Sequence, residues 1–125
     1  MSILQNSPIA AFAATAKPTE AIEFYKNVLG LTFVSDEEYA IVFDASGTTL
    51  RIQKVGSVDP KPYTALGWHV DDIAAAAKEL SKKGVQFESY PWMEHDELGI
   101  VTFPQGARVA WFKDPDGNLL SIDQY

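Results

Sequence analysis

The hydrophobic and polar positions along this chain run through the same series of elements twice. From Ile9 to Ala14, small and apolar residues predict a strand. Lys17-Pro18-Thr19-Glu20 then predicts a helix start. Proline suits the first helical turn, where a missing N–H costs nothing, and Glu20 favours the positive end of the helix dipole. Ala21, Phe24, Tyr25 and Leu29 recur on one helical face, and Gly30 can close the helix in a left-handed conformation. LTFVS, YAIVFD and TTLRIQ follow as three predicted strands, separated by DEE and ASG.

The second round begins with TALGWHV. Asp71 and Asp72 are helix-start residues, Ile73, Ala76, Ala77 and Leu80 form the apolar face, and Gly84 ends the helix. VQFESY, GIVTF, RVAWFKD and NLLSIDQY predict the remaining strands. The helix-ending glycines lie 54 residues apart, whereas the turn glycines Gly47 and Gly117 lie 70 apart. The second round therefore has a longer middle, and the surplus falls in YPWMEHDELG. SVDPKP links the two rounds. The expectation is an α+β fold with two βαβββ modules, about 8–56 and about 63–125, in a single domain spanning 1–125. One helix per module covers one face of its sheet and leaves the other face of a curved mixed β-sheet to line a cleft. Strand alternation puts Ala10, Phe12 and Ala14, then Thr49, Arg51 and Gln53, on that inner face. In the second round it selects Ala65, Gly67 and His69, then Leu119, Ser121 and Asp123.

Composition narrows the chemistry. The chain has 125 residues, 46% of them hydrophobic and 22% charged, which fits a packed globular protein. A net charge of −7 and the lack of a basic stripe argue against binding nucleic acid. With no cysteine, thiolate catalysis, disulfides and zinc–cysteine sites are excluded. No apolar run reaches the length of a membrane span. IAAFAATA lacks a preceding Lys or Arg and reads as a strand rather than a signal core, so a cytoplasmic protein with no membrane partner is expected.

FYKNVLGL, HVDDIAAAAKELSKKGV and WFKDPDGNLLSI, set in paired βαβββ modules, resemble the vicinal oxygen chelate superfamily. That group includes glyoxalase I, bleomycin-resistance proteins, extradiol dioxygenases and methylmalonyl-CoA epimerase, and the likeness covers nearly the whole chain. The resemblance implies a divalent metal held by side chains from several strands. Carried onto this sequence, those ligand positions fall on Ala10 (or Ile9), Arg51, Ala65 and Ser121. Two alanines, a guanidinium and a hydroxyl are not a divalent-metal set, and Arg51 would repel a cation. No metal and no cofactor are therefore expected.

The candidate ligand-binding residues are Phe12, Arg51, Gln53, His69, Trp92, Met93 and Ser121, with no catalytic residue assigned. An apolar wall with a few directed polar groups suits a small organic molecule. Arg51 has two readings, pairing with Asp123 across the sheet or receiving an acidic ligand. It disfavours a cationic drug such as bleomycin. Trp92 and Met93 sit in the long loop, where they could form a movable wall. His95 with Glu94 and Asp96 resembles a metal run, but adjacent loop residues rarely converge on one ion. Trp68 and Trp111 read as outward core packing. The expected function is metal-independent binding of a small molecule, in a chain that forms a homodimer. The alternative is a divalent-metal lyase, isomerase or dioxygenase with ligands drawn from His69, His95 and nearby carboxylates.

Overall fold

The structure is a computed structural model and describes residues 2–125. The chain separates into two compact units, one ending at Val58 and one beginning at Asp59.

In the first unit, β1 (Ala10–Thr15) leads into α1 (Pro18–Ile22), then β2 (Thr32–Asp36), β3 (Ala40–Ala45) and β4 (Thr48–Lys54). The sheet order is β1-β4-β3-β2. β1 pairs with β4 in parallel, and the other neighbours pair antiparallel. Thr15 prepares the turn after β1, where its buried hydroxyl accepts the Lys17 N–H at 2.9 Å. The helix departs from the periodicity prediction at its second half. Glu23–Val28 is a π-helical stretch, with the Leu29 N–H bonding the Phe24 carbonyl at 2.9 Å. Ala21 and Tyr25 are still fully buried, with the Tyr25 ring 5.9 Å from that of Phe43. Gly30 closes the segment at φ 77°.

The second unit runs β5 (Leu66–His69), α2 (Ile73–Lys82), β6 (Val101–Thr102), β7 (Arg108–Lys113) and β8 (Leu119–Gln124), in the order β5-β8-β7-β6. This is the same topology, so the repeat predicted from the sequence is real. At ten residues α2 is too short to be stable alone in water. Its ends are well capped instead. The Asp72 carboxylate accepts the Ala75 N–H at 3.1 Å, and the Gln124 amide oxygen on β8 accepts the Ile73 N–H at 2.9 Å. At the other end the Val85 N–H reaches the Leu80 carbonyl and the Gly84 N–H that of Ser81, a Schellman motif that needs the positive φ of Gly84. Ile73 and Ala77 bury the helix against the sheet, each such aliphatic contributing about 1–3 kcal/mol.

Two strand predictions need correction. VQFESY (85–90) is not a regular strand, and GIVTF shrinks to Val101–Thr102. Segment 85–90 is held by one ladder bond, Glu88 N–H to the Trp111 carbonyl at 2.7 Å, and by the Phe87 ring against Phe112 at 5.8 Å. The loop inserted after it returns directly onto Phe87: a Cβ on Gly99 would lie 2.7 Å from the Phe87 Cβ. Side-chain packing and the returning loop occupy this segment in place of a continuous ladder.

The turn between β7 and β8 is built on one buried carboxylate. Asp114 Oδ1 accepts the N–H groups of Asp116 and Asn118, both at 2.9 Å, and Oδ2 accepts the Asn118 side-chain amide at 2.8 Å. Gly117 follows at φ 88°. The turn fixes the β7–β8 register and so decides which side chains share a face.

Gly99→Ala should lower unfolding stability by about 2 kcal/mol or more, because it combines a positive φ of 87° with a contact that no rotamer can relieve. Urea denaturation should show a lower midpoint with an unchanged slope.

Candidate functional site

The two sheets place equivalent positions on equivalent faces. On the helix side lie Leu50 and Ile52 of β4 and Leu120 and Ile122 of β8, all buried. The alternate residues, Arg51 and Ser121, face the other way. Arg51 stands between Phe12 of β1 and Val42 of β3. Ser121 stands between Gly67 of β5 and Trp111 of β7. Trp111 therefore shares the face of Ser121. The expectation that it packs outward is wrong, because the β7–β8 hairpin register sets its direction. Trp68 lies opposite Ile122, on the helix side as expected.

In the second unit this face forms the floor of a cavity of about 560 Å3. β7 and β8 supply Trp111, Lys113 and Leu119. One wall is the segment Pro60 to Thr64. The other is Glu88, Tyr90, Trp92 and Met93. The floor and walls are tied together. The Trp111 indole N–H donates to the Thr64 hydroxyl at 3.0 Å. A Cβ on Gly117 would lie 3.2 Å from Pro60, so the hairpin turn touches the proline wall where only glycine leaves room. Pro60 and Pro62 each fix φ, which stiffens that wall.

Three aromatic rings form a connected group. Tyr90 and Trp92 stack with centroids 5.1 Å apart, and Tyr90 meets Trp111 edge-on at 6.0 Å. Trp92 is 75% exposed even so, leaving much of its ring open to a flat partner. The charged residues of the cavity are Lys61, Lys113 and Glu88. Lys113 Nζ lies 3.3 Å from Glu88 Oε1, and Lys61 pairs with Asp59 at 2.6 Å. Burial pushes the Tyr90 hydroxyl above the usual tyrosine range. The Glu88 carboxylate acts in the same sense and Lys113 opposes it.

Of the seven residues expected to bind ligand, Trp92 and Met93 line this cavity. Ser121 is buried beside its floor, and a Cβ on Gly67 would come within 2.8 Å of its hydroxyl oxygen. His69 lies one strand step beyond Gly67, in register with Asp123. Its Nδ1 pairs with the Asp123 carboxylate, and its ring lies 5.2 Å from that of Tyr125. The histidine side chain is 76% exposed and the aspartate 14%. Such a carboxylate orients the imidazole through Nδ1.

Phe12, Arg51 and Gln53 belong to the first unit. Phe12 is 52% exposed, and Gln53 is exposed between Ala14 and Ala40. The proposed Arg51–Asp123 pair is corrected: Arg51 bonds Glu37 at 3.1 Å, and Asp123 is taken by His69. Glu37 follows Ser35 on the strand-to-turn segment after β2 and so comes within reach of β4, which alternation within single strands does not reveal. The Ser35 hydroxyl first, and Arg51 second, hold the Glu37 carboxyl below its ordinary value. The pair is therefore complete at neutral pH and is lost as the pH falls through the Glu37 pKa.

The residues do not suit the metal that the family resemblance implies. Among the described residues no group of three or more His, Cys, Asp or Glu is placed to hold an ion. The loop histidine is engaged locally: His95 Nε2 bonds the Ser89 hydroxyl and Nδ1 the Asp96 carbonyl, both at 2.8 Å. Among the described residues no helix is long and apolar enough to cross a membrane.

Sequence reasoning missed Trp111, Tyr90, Tyr63, Glu88 and Lys113. Trp111 and Lys113 alternate toward one face of β7, so the DPDGN hairpin register would have found both. Tyr90 and Glu88 lie in the segment whose irregular path no period marks.

The description of the family model that matches residues 9–122 is Glyoxalase/Bleomycin resistance protein/Dioxygenase superfamily. Uncharacterized protein YraH of Bacillus subtilis is 31% identical over 119 residues, covering 82% of this chain and 86% of YraH. CFP32 of Mycobacterium tuberculosis, provisionally named a glyoxylase, is 30% identical over 119 residues. That match covers 86% of this chain but only 40% of CFP32, so the chain spans less than half of that relative. Among solved structures, lactoylglutathione lyase from Agrobacterium tumefaciens superposes with a TM-score of 0.73 at 15% identity, over 95% of this chain and 93% of the other, a likeness of fold alone.

Tyr90→Phe should remove one of the later-titrating phenols from the alkaline absorbance titration at 295 nm. Its raised pKa favours the folded state fully below about pH 10, the ordinary tyrosine value. That contribution is lost as pH rises through the folded pKa, so the variant should lose less stability than the parent on going to high pH.

Proposed function

The chain belongs to the glyoxalase/bleomycin resistance protein/dioxygenase superfamily, and on that footing we propose that it binds a small, flat organic molecule without the help of a metal ion. The observation that carries this reading is the aromatic cavity of the second unit, with its open Trp92 face, the Trp111 floor and few polar groups. A preformed apolar cleft with a small number of fixed hydrogen-bonding groups suits capture of a ring system. The residues at the implied metal positions support the same conclusion. Arg51 is a cation already paired with Glu37, and Ser121 is a lone hydroxyl between a glycine and a tryptophan.

The ring would stack on Trp92 and rest against Trp111, gaining its binding energy from buried apolar area and offset stacking. Tyr90, held edge-on to Trp111, keeps Trp92 in place. Thr64 already receives the Trp111 N–H and can donate its own hydroxyl hydrogen to an acceptor on the ligand. His69, oriented by Asp123, lies on the same sheet face, outside the cavity lining.

Titration calorimetry with 2-naphthamide, a neutral flat probe, should give saturable binding that a chelator leaves unchanged. Trp92→Ala should weaken it by about threefold to tenfold, the worth of one aromatic stack. Elemental analysis of protein purified without a metal-affinity step should find no stoichiometric divalent ion. About one ion per chain, with probe binding that a chelator abolishes, would replace this reading with that of a metal-dependent lyase, isomerase or dioxygenase.

A further inference from the structure

The charge of the cavity runs against the charge of the chain. The whole protein carries −7, from 17 acidic and 10 basic residues. Lining the cavity are two lysines, Lys61 and Lys113, and one carboxylate, Glu88, a local balance of +1. We infer that the aromatic cavity selects a flat ring bearing one negative charge, a carboxylate or phenolate, whose anionic group is received at Lys113.

Position and partners both support Lys113. It is the last residue of β7, two positions from Trp111 and on the same face, opposite Leu119. A ring lying on Trp111 and Trp92 therefore has a cation two residues along the same strand and on the same face. An ammonium has three donor hydrogens. Among the described residues Lys113 has one ion-pair partner, Glu88, at the long separation of 3.3 Å, so donor capacity is left for an incoming anion. Glu88 is anchored from behind by its backbone bond to Trp111 and limits the site to one negative charge rather than two.

Lys61 is secondary. It stands between two prolines, which hold its backbone at the mouth of the cavity. Its ammonium is already engaged by Asp59 at 2.6 Å, a closer pair than Lys113 makes with Glu88 at 3.3 Å. The remaining polar groups, the Thr64 hydroxyl and the Tyr63 and Tyr90 phenols, can donate hydrogen bonds to an anion but carry no positive charge to oppose it.

This inference rests on the binding reading above and is tested with a matched set on the full chain: 2-naphthoate, 2-naphthamide and 2-naphthylmethylammonium, by titration calorimetry at low and high salt. The carboxylate should bind about tenfold more tightly than the amide, and the ammonium more weakly than either. Added salt should narrow the preference. Lys113→Met should erase it, bringing the carboxylate-to-amide affinity ratio to about one. Glu88→Gln should widen it, since the competing carboxylate is gone, and this opposite effect cannot come from a loss of folding. Equal affinity for carboxylate and amide, or a preference for the ammonium, would overturn the inference while the aromatic site survives. Binding of none of the three would overturn both.

Discussion

The alternation of side chains along β4 and β8, the two inner strands that each pair in parallel with the first strand of their unit, governs the rest of this molecule. Leu50, Ile52, Leu120 and Ile122 must face a helix to leave water, and each is buried. Moving either strand by one residue would expose a pair of them at a cost of several kcal/mol. With that face decided, Arg51 and Ser121 have only the opposite one, and every neighbour across the ladder follows. Which residues lie on the two opposite faces is thus a consequence of how the cores are buried.

The two faces have then diverged within one topology. In the first unit the central position holds Arg51, flanked by Phe12 and Val42 and neutralised by Glu37. In the second it holds Ser121, flanked by Gly67 and Trp111. The Ser121 hydroxyl sits against Gly67, and on its other side Trp111 forms the cavity floor. An insertion supplies the remaining wall. Segment 85–90 has no regular ladder: Phe87 packs on the core ring of Phe112, while Tyr90, together with Trp92 just beyond the segment, lines the cavity.

Each wall is positioned by something rigid. The proline wall abuts Gly117 and is tied by Thr64 to the Trp111 indole. The loop wall is closed by Asp96, whose carboxylate accepts the N–H groups of Leu98 and Ile100, both at 2.9 Å, and by the His95 bond to Ser89. A cavity framed in this way has its aromatic surfaces positioned by the fold, which under the proposed binding role would lower the ordering cost.

Much of the architecture was legible in the order of residues. Helix-ending glycines, Asp72 as a cap, the Asp-Pro-Asp-Gly-Asn turn and period-two strands are local signals, because the physics behind them acts over a few residues. They determined the repeated βαβββ plan and the inner positions Arg51, Gly67, Ser121 and Asp123. The partners of those residues were decided by tertiary structure. That Arg51 meets Glu37, that Asp123 meets His69, that Trp111 turns to the cavity and that 85–90 abandons its ladder all depend on strand registers and a returning loop. Residues far apart in sequence share no periodic signal. Their meeting is set by where separate elements pack, and only the folded chain contains that information.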